Sequence, residues 1–361
     1  MTPAQYCQEK AARSGSSFYY SFLFLPREKR EAITALYAFC REVDDIADEC
    51  HDPLLAETKL NWWRDELRRI YAGQPTHPVG LALLPAIKRY DLAAEHFAEI
   101  IDGMEMDLQR VRYARQILLD DVGEEGQEKL AQAKVLVIGA GGLGVPVVSY
   151  LAAAGVGTIG IADGDVVELS NLHRQIAYRT RDIGAPKTAQ LSLRVRDNNE
   201  RARIVEHPRV TPTNADDIVA GYDFIADGSD NFITRYLINA VCRRRRKILV
   251  SAALERFTGE LATFLPDGPC YRCVFPLAPD RESAQGCVAG GILGPMAGLL
   301  GCWQALEILK QILELPGRLR GELLLFDAVT NDCRRIRLRR DPSCEICGSE
   351  PHENSVLRGT A

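Results

Sequence analysis

Lys134–Gly144 reads KVLVIGAGGLG, and the fold is decided there. Val135 to Ile138 form a short apolar, β-branched run of the kind that makes a buried parallel strand. Gly139, Gly141 and Gly144 follow in the order G-x-G-x-x-G, and Val147 to Ala154 continue as a helix of small residues. Glycine has a physical role here: the turn needs positive φ, and a Cβ would keep backbone N–H groups away from a phosphate at the helix N-terminus. A second strand, Thr158–Ala162, ends at Asp163, whose carboxylate can accept hydrogen bonds from ribose hydroxyls. Further strands are expected at Arg203–His207, Phe224–Ala226 and Ile248–Ser251, alternating with helices. That rhythm predicts an α/β fold, a doubly wound Rossmann-like sheet. The glycine pattern alone would suggest NAD as the nucleotide.

The chain of 361 residues is long enough for two cores. Its charge is uneven: residues 1–109 carry 12 Lys and Arg against 18 Asp and Glu, the remainder 32 against 31. Neither balance suggests a nucleic-acid surface. The basic run Arg243–Lys247 falls between a helical pattern and a strand and reads as a solvated helix end. No signal peptide opens the sequence, and the longest apolar stretch, Val288–Trp303, is interrupted by Pro295 and glycines, so no membrane span is expected. Eleven cysteines, an odd number, suggest reduced thiols and metal ligands in a cytoplasm.

Beyond the second strand comes DGDVVELSNLHRQ (163–175). Asp165 adds a carboxylate near the phosphate loop, which an NAD site does not need and a metal–nucleotide does. Ser170 is expected to cap a helix, placing Asn171 and Arg174 on its first turn. Arg174 can present a bidentate fork to phosphate oxygens. Lys187 adds a compact positive charge, and Asp230 and Asn231 follow a strand that leads to the ligand-binding edge of such sheets. Together these groups suit triphosphate chemistry, with cations for the phosphates and carboxylates for magnesium.

GAGGLG (139–144), DGDVVELSNLHRQ, the lysine after DIGAP and GSDNFITR (228–235) resemble the ubiquitin-activating-enzyme superfamily, in particular its molybdopterin-synthase and thiamine sulfur-carrier adenylyltransferases. The resemblance runs from about Arg110 to Gly348. It implies that Gly142, Asp163, Ser170, Asn171, Leu172, His173, Arg174, Lys187, Asp230 and Asn231 contact ATP or its magnesium, which Asp230 holds. It also implies that Arg115, in RYARQ, reaches the γ-phosphate bound by a partner subunit, hence a homodimer. The substrate would be the C-terminal Gly-Gly carboxylate of a small ubiquitin-like sulfur carrier. No sulfurtransferase domain follows, so a separate sulfurtransferase is expected to supply sulfur. Attack of a carboxylate on the α-phosphate needs no general base, because the nucleophile is ionised at neutral pH.

Cys270, Cys273, Cys344 and Cys347 form two C-x-x-C pairs, the spacing that closes a tetrahedral structural zinc. Cys287 stands apart in AQGCVAGG. In members of the superfamily the matching cysteine can link covalently to the carrier and in others it is dispensable, so it is a possible acceptor thiol. Cys302 reads as a core residue.

Residues 1–109 read as an all-α helical fragment. Pro26 begins a long helix that finishes with Asp44, Asp45, Asp48 and Glu49; Asp44 and Asp48 share a face and repel unless a cation sits among them. SGSSFYYSFLFLP (14–26), ALYAFCREVDDIADE (35–49), KLNWWRDEL (59–67) and EIIDGMEMDL (99–108) resemble the squalene and phytoene synthase family, whose first aspartate-rich motif binds magnesium diphosphate. The resemblance stops near Gln109, before the second acidic cluster those enzymes require. The fragment is therefore expected to be catalytically silent, with Trp62, Trp63 and Phe97 lacking the helices that would bury them. The expected domains are 1–109, an ATP-binding adenylyltransferase at 110–350, and a frayed tail at 351–361. The competing functions are an NAD-dependent oxidoreductase, a prenyl-diphosphate synthase in residues 1–109, and a non-catalytic carrier-binding scaffold.

Overall fold

The computed structural model describes residues 1–50, 53–277 and 291–348. The chain divides into two compact units, Met1–Arg115 and the part from Gln116 onward. The division falls inside a helix that runs through position 110, so it comes slightly later than the change in sequence character.

The first unit is helical: α1 (Pro3–Arg13), α2 (Ser17–Phe22), α3 (Arg27–Glu49), α4 (Pro53–Tyr71), α5 (Pro78–Tyr90) and α6 (Ala94–Ile117). Local chemistry fixes the ends. Thr2 and Gln5 cap α1 reciprocally, with Pro3 at the first helical position. The helices close their own core. Phe39 meets Trp63 and Phe97 edge-on at centroid separations of 5.4 and 5.2 Å, and Trp63 and Phe97 are buried. The expectation that these two rings would lack burying partners is therefore corrected: α3, α4 and α6 suffice for them, and only Trp62 is left 41% exposed. Buried Glu66 ties the α4–α5 connection, accepting from the Thr76 and His77 amides at 2.6 and 2.7 Å and from Arg69 at 2.8 Å.

The second unit holds α7 (Gly123–Gln132), β1 (Lys134–Ile138), α8 (Gly144–Ala153), β2 (Thr158–Ala162), α9 (Lys187–Asn198), β3 (Arg203–His207), α10 (Ala215–Ala220), β4 (Phe224–Asp227), α11 (Phe232–Arg245), β5 (Ile248–Glu255), β6 (Thr258–Phe264), α12 (Tyr271–Val274), α13 (Gly294–Ile312), β7 (Glu322–Asp327) and β8 (Asp332–Arg337). One sheet takes the order β3-β2-β1-β4-β5-β6-β7-β8. The first five strands in that order are parallel. The last three extend the sheet antiparallel. The α/β Rossmann-like expectation holds, and the three antiparallel strands are additional to it. β6 follows β5, and β8 follows β7, with no helix between them. In β7, moreover, Leu323, Leu324, Leu325 and Phe326 form an unbroken apolar run without a clean period of two.

Apolar residues cover both faces of the sheet. On one, Val135, Val137, Ile159 and Ile161 pack with α8, α9 and α13; on the other, Leu136, Ile138, Ile225 and Leu249 pack with α10, α11 and Tyr271. A strand buried on both faces reads as continuous hydrophobicity, which is why β1 and β2 were visible in sequence. The strand order reverses between β1 and β4, so their carboxyl ends open side by side. Sheets of this kind bind ligands at that point.

Candidate nucleotide site and cysteine cluster

The glycine turn joins β1 to α8 with a different demand at each glycine. Gly139 has φ +92°, open to glycine at low cost. At Gly144 a Cβ would lie 1.8 Å from the Gly139 carbonyl oxygen, so no side chain fits and α8 starts there rather than at Val147. At Gly141, by contrast, space is open: beyond its chain neighbours, a Cβ would meet among the described residues only Gln175 Nε2, at 3.7 Å. That is the place a phosphate needs against the first turn of a helix.

Asp163 ends β2 and braces the turn. Its Oδ2 accepts from the Ala140 amide at 2.7 Å and its Oδ1 from the Asp165 amide at 2.7 Å. Tyr178 donates its hydroxyl to the Ala140 carbonyl at 2.7 Å and lies 3.4 Å from that of Lys187, tying the first turn of α9 to the glycine turn. Lys187 is buried, and its ammonium donates to Asp165 at 3.1 Å. Arg209, beyond β3, donates to the other oxygen of Asp165. Burial alone would raise the Asp165 carboxyl's pKa, but Lys187 and Arg209 outweigh it and hold the group below the ordinary carboxylate range.

Ser170 is not the helix cap expected of it. The segment Leu169–Asn171 is a single 3-10 turn capped by Glu168, whose amide donates to Asn171 Oδ1 at 3.2 Å. Ser170 instead donates to Glu168 at 3.2 Å. Reciprocal capping by Glu168 and Asn171 outcompetes the serine because it satisfies two backbone donors at once. Ser170 and His173 stay exposed and Leu172 half-buried. Arg174 donates to the Ser170 carbonyl at 2.8 Å, and its aliphatic stem runs 3.7 Å from where a Gly142 Cβ would stand. It has no carboxylate partner among the described residues.

Asp230 and Asn231 follow β4, beside the glycine turn: the Gly228 amide donates to the Ile138 carbonyl at 3.1 Å. Asn231 caps α11, its Oδ1 accepting from the Thr234 amide at 2.9 Å. Asp230 is exposed, and its described contact is a 3.2 Å bond from the Asn231 amide group. Beneath it lies a buried polar layer that sequence reading missed. Asp227 accepts from the Ser229 amide and hydroxyl at 3.0 and 2.6 Å, and Arg235 donates to the carbonyls of Ser229 and Ala252. The only sequence signal for Asp227 and Arg235 was polarity at positions flanked by core residues. Arg209 gave none, because its partner is 44 residues away.

The four cysteines converge as their spacing predicted. Cys270 Sγ lies 3.9 Å from Cys273 and 3.6 Å from Cys344, and Cys273 lies 3.2 Å from Cys347. All four sulfurs fall within 4.8 Å of one another, and the thiols are free. Sulfurs about 3.8 Å apart surround a tetrahedral ion with bonds near 2.3 Å, so the cluster fits a metal. Cys287 and the tail at 351–361 lie outside the described residues. Cys302 is only half-buried, so it is not the core residue expected.

In the helical unit the acidic end of α3 has cations of its own. Arg41 pairs with Asp44 and, at 2.6 Å, with Asp45, while Lys10 pairs with Asp45 at 2.8 Å and Glu42 at 3.2 Å. Asp48 is exposed. Glu42, Asp44 and Asp45 therefore have cationic partners within the unit. Arg115 also belongs to this unit, exposed in the last turn of α6.

A doubly wound sheet with a glycine turn, flanking cations and an exposed carboxylate at its switch point defines a nucleotide-binding enzyme domain. The chain belongs to the ThiF family, which it matches over residues 113–346. Residues 11–120 match squalene/phytoene synthase. The chain is 47% identical over 244 residues to the adenylyltransferase and sulfurtransferase MOCS3 of Caenorhabditis briggsae, covering 66% of this chain and 61% of that protein. It is 44% identical over 253 residues to the sulfur carrier protein adenylyltransferase of Thermus thermophilus, covering 68% of this chain and 93% of that one. A crystal structure of E. coli MccB shares the fold, with a TM-score of 0.55 and 23% identity over 63% of this chain and 68% of that one. No described helix is long and apolar enough to cross a membrane.

Proposed function

We propose that this chain uses ATP to adenylate the C-terminal glycine carboxylate of a small ubiquitin-like sulfur carrier, releasing pyrophosphate, as in molybdopterin or thiamine biosynthesis. The observation that carries the reading is the grouping of Gly141, Arg174, Lys187 and Asp230 about the β1–β4 switch point, in a chain that spans 93% of the Thermus sulfur carrier protein adenylyltransferase. A carboxylate approaching an already anionic phosphate is helped by positioning and charge neutralisation. Lys187 and Arg174 supply positive charge, and the α8 N-terminus supplies oriented amides. Asp230, exposed and without a cationic partner among the described residues, is placed to hold magnesium on the triphosphate. These are features of triphosphate handling, and an NAD-dependent oxidoreductase would have no need of them. ATP–pyrophosphate exchange that depends on both magnesium and a carrier ending in Gly-Gly is the expected result; exchange indifferent to the carrier would refute the substrate.

The cysteine cluster would hold zinc as a structural ion. Arg115 would act on the site of a partner subunit in a homodimer. Exchange restored on mixing Arg115→Ala with Lys187→Ala chains would support this, and no restoration despite subunit exchange would reject it. Sulfur would come from a separate sulfurtransferase, and the cytoplasm suits free thiols. Residues 1–109 are assigned no catalytic part; in them Lys10 and Arg41 pair with Glu42, Asp44 and Asp45 of α3.

A further inference from the structure

Asn239 sits in the middle of α11 and is 2% exposed. Asparagine is a poor residue for a helix interior, and a buried one needs partners at both ends of its carboxamide. One end has a partner. Oδ1 accepts from the Tyr271 amide at 2.8 Å, and because that N–H needs an acceptor, the bond fixes which way the carboxamide faces. The other end does not: Nδ2 is buried and completes no hydrogen bond among the described residues. The residue before Tyr271 is Cys270, and Asn239 and Cys270 line the same small cavity. Burial pushes the Cys270 thiol up, while the Cys273 main-chain amide and the Asn239 side chain favour its ionised form. The cluster already sets an N–H against another of its sulfurs, since the Asp341 amide donates to Cys273 Sγ at 3.4 Å. Four thiolates on one divalent ion leave a surplus of negative charge, and burying it is costly unless donors face the sulfurs.

We infer that Asn239 is a positioning residue of the cysteine cluster, donating through Nδ2 to Cys270 Sγ when the four thiolates hold a metal ion. The inference rests on the proposed zinc site and adds to it a side chain from a different helix. A neutral donor suits this place, because it offsets the surplus charge without a counter-ion that would itself need burial. The same carboxamide holds the first residue of α12 through Oδ1 and the sulfur before it through Nδ2. In this way α11 sets where the first C-x-x-C pair stands.

The test uses the full-length chain with Asn239→Asp and Asn239→Leu, loaded with cobalt(II) in place of zinc and, separately, titrated with zinc against a competing chelator. The aspartate keeps an acceptor for the Tyr271 amide and removes the donor; the leucine removes both at similar volume. Without the donor the Cys270 sulfur is more electron-rich, so the sulfur-to-cobalt charge-transfer band should move to lower energy in both variants. Zinc affinity should fall at least ~10-fold, the lower end of the effect of losing a group that orients a metal ligand. A band and an affinity unchanged in both variants would overturn the inference. So would a change confined to Asn239→Leu, which would reduce the residue to its bond with Tyr271. A parent chain that takes up neither metal would instead defeat the proposed zinc site, so the two failures are distinguishable.

Discussion

The two units both gather charged side chains at the end of a secondary-structure element, with opposite results. At the end of α3, Asp44, Asp45 and Glu42 are matched by Arg41 and Lys10 from within the same unit. At the switch point of the sheet, Asp230 bonds only an amide, Arg174 only uncharged groups, and Lys187 shares its one carboxylate with Arg209, among the described residues. Half-exposed ion pairs of the first kind are worth little individually, about 0–1 kcal/mol, but they satisfy the helix end. Groups of the second kind retain capacity for a ligand. A motif's residue types do not distinguish these outcomes; the surrounding partners do.

The largest effect that would sharpen this contrast involves the cysteines. A structural zinc site contributes roughly 10–16 kcal/mol of apparent binding energy at neutral pH. Cys344→Ser or strong chelation should therefore unfold the α12 and cysteine region, while amide exchange across α3–α5 stays unchanged. One zinc per chain by metal analysis is expected, and native thiols that alkylate freely would contradict it.

A core substitution in the other unit should show the reverse pattern. Phe39 is fully buried against Trp63 and Phe97, and Phe39→Ala should cost about 3–5 kcal/mol locally. Hydrogen exchange should rise across α3, α4 and α6 while ATP–pyrophosphate exchange persists. Equal loss of adenylation would show that residues 1–109 support the chemistry.

The smallest effect is a pH dependence. His77 caps α5 through Nδ1, accepting from the Val79 amide at 3.2 Å, and is flanked by Tyr6, Trp62 and Trp63. Burial lowers its pKa, assisted by Lys10 and only partly opposed by Glu42 and Glu66. Because the folded value is depressed, its contribution is present above the unfolded value near 6.5 and declines as pH falls below it. His77→Asn, which retains a cap acceptor, should reduce the loss of protection in α5 between about pH 7.5 and 5.5, a window that brackets the unfolded value. An identical pH dependence in the variant would remove His77 as a cause.

Local chemistry determined which parts of this arrangement could be read from sequence. The β1–glycine–α8 unit was legible because buried strands, a positive-φ turn and a close approach each demand particular residues within a short stretch. The cysteine pairs were legible because tetrahedral ligation constrains spacing. Trp63 and Phe97 were misjudged because burial depends on α3 and α6 meeting, which periodicity within one helix does not report. The cap at Glu168 was missed because Ser170 is the better intrinsic capping residue, yet the reciprocal Glu168–Asn171 bonds prevail. Arg209 acquires its partner, Asp165, from a stretch distant in sequence, so residue type gave no warning.

The central claim is that chemistry resides in the sheet's switch point and not in the acidic helix end. ATP–pyrophosphate exchange by the full-length chain, comparing Asp230→Ala with an Asp44→Ala/Asp45→Ala double variant, tests it most directly. Asp230→Ala should lose at least ~100-fold, the scale of removing one preorganised charge-stabilising group, while the double variant should match the parent. Exchange that survives Asp230→Ala, or that collapses in the double variant with its fold intact, would contradict the account.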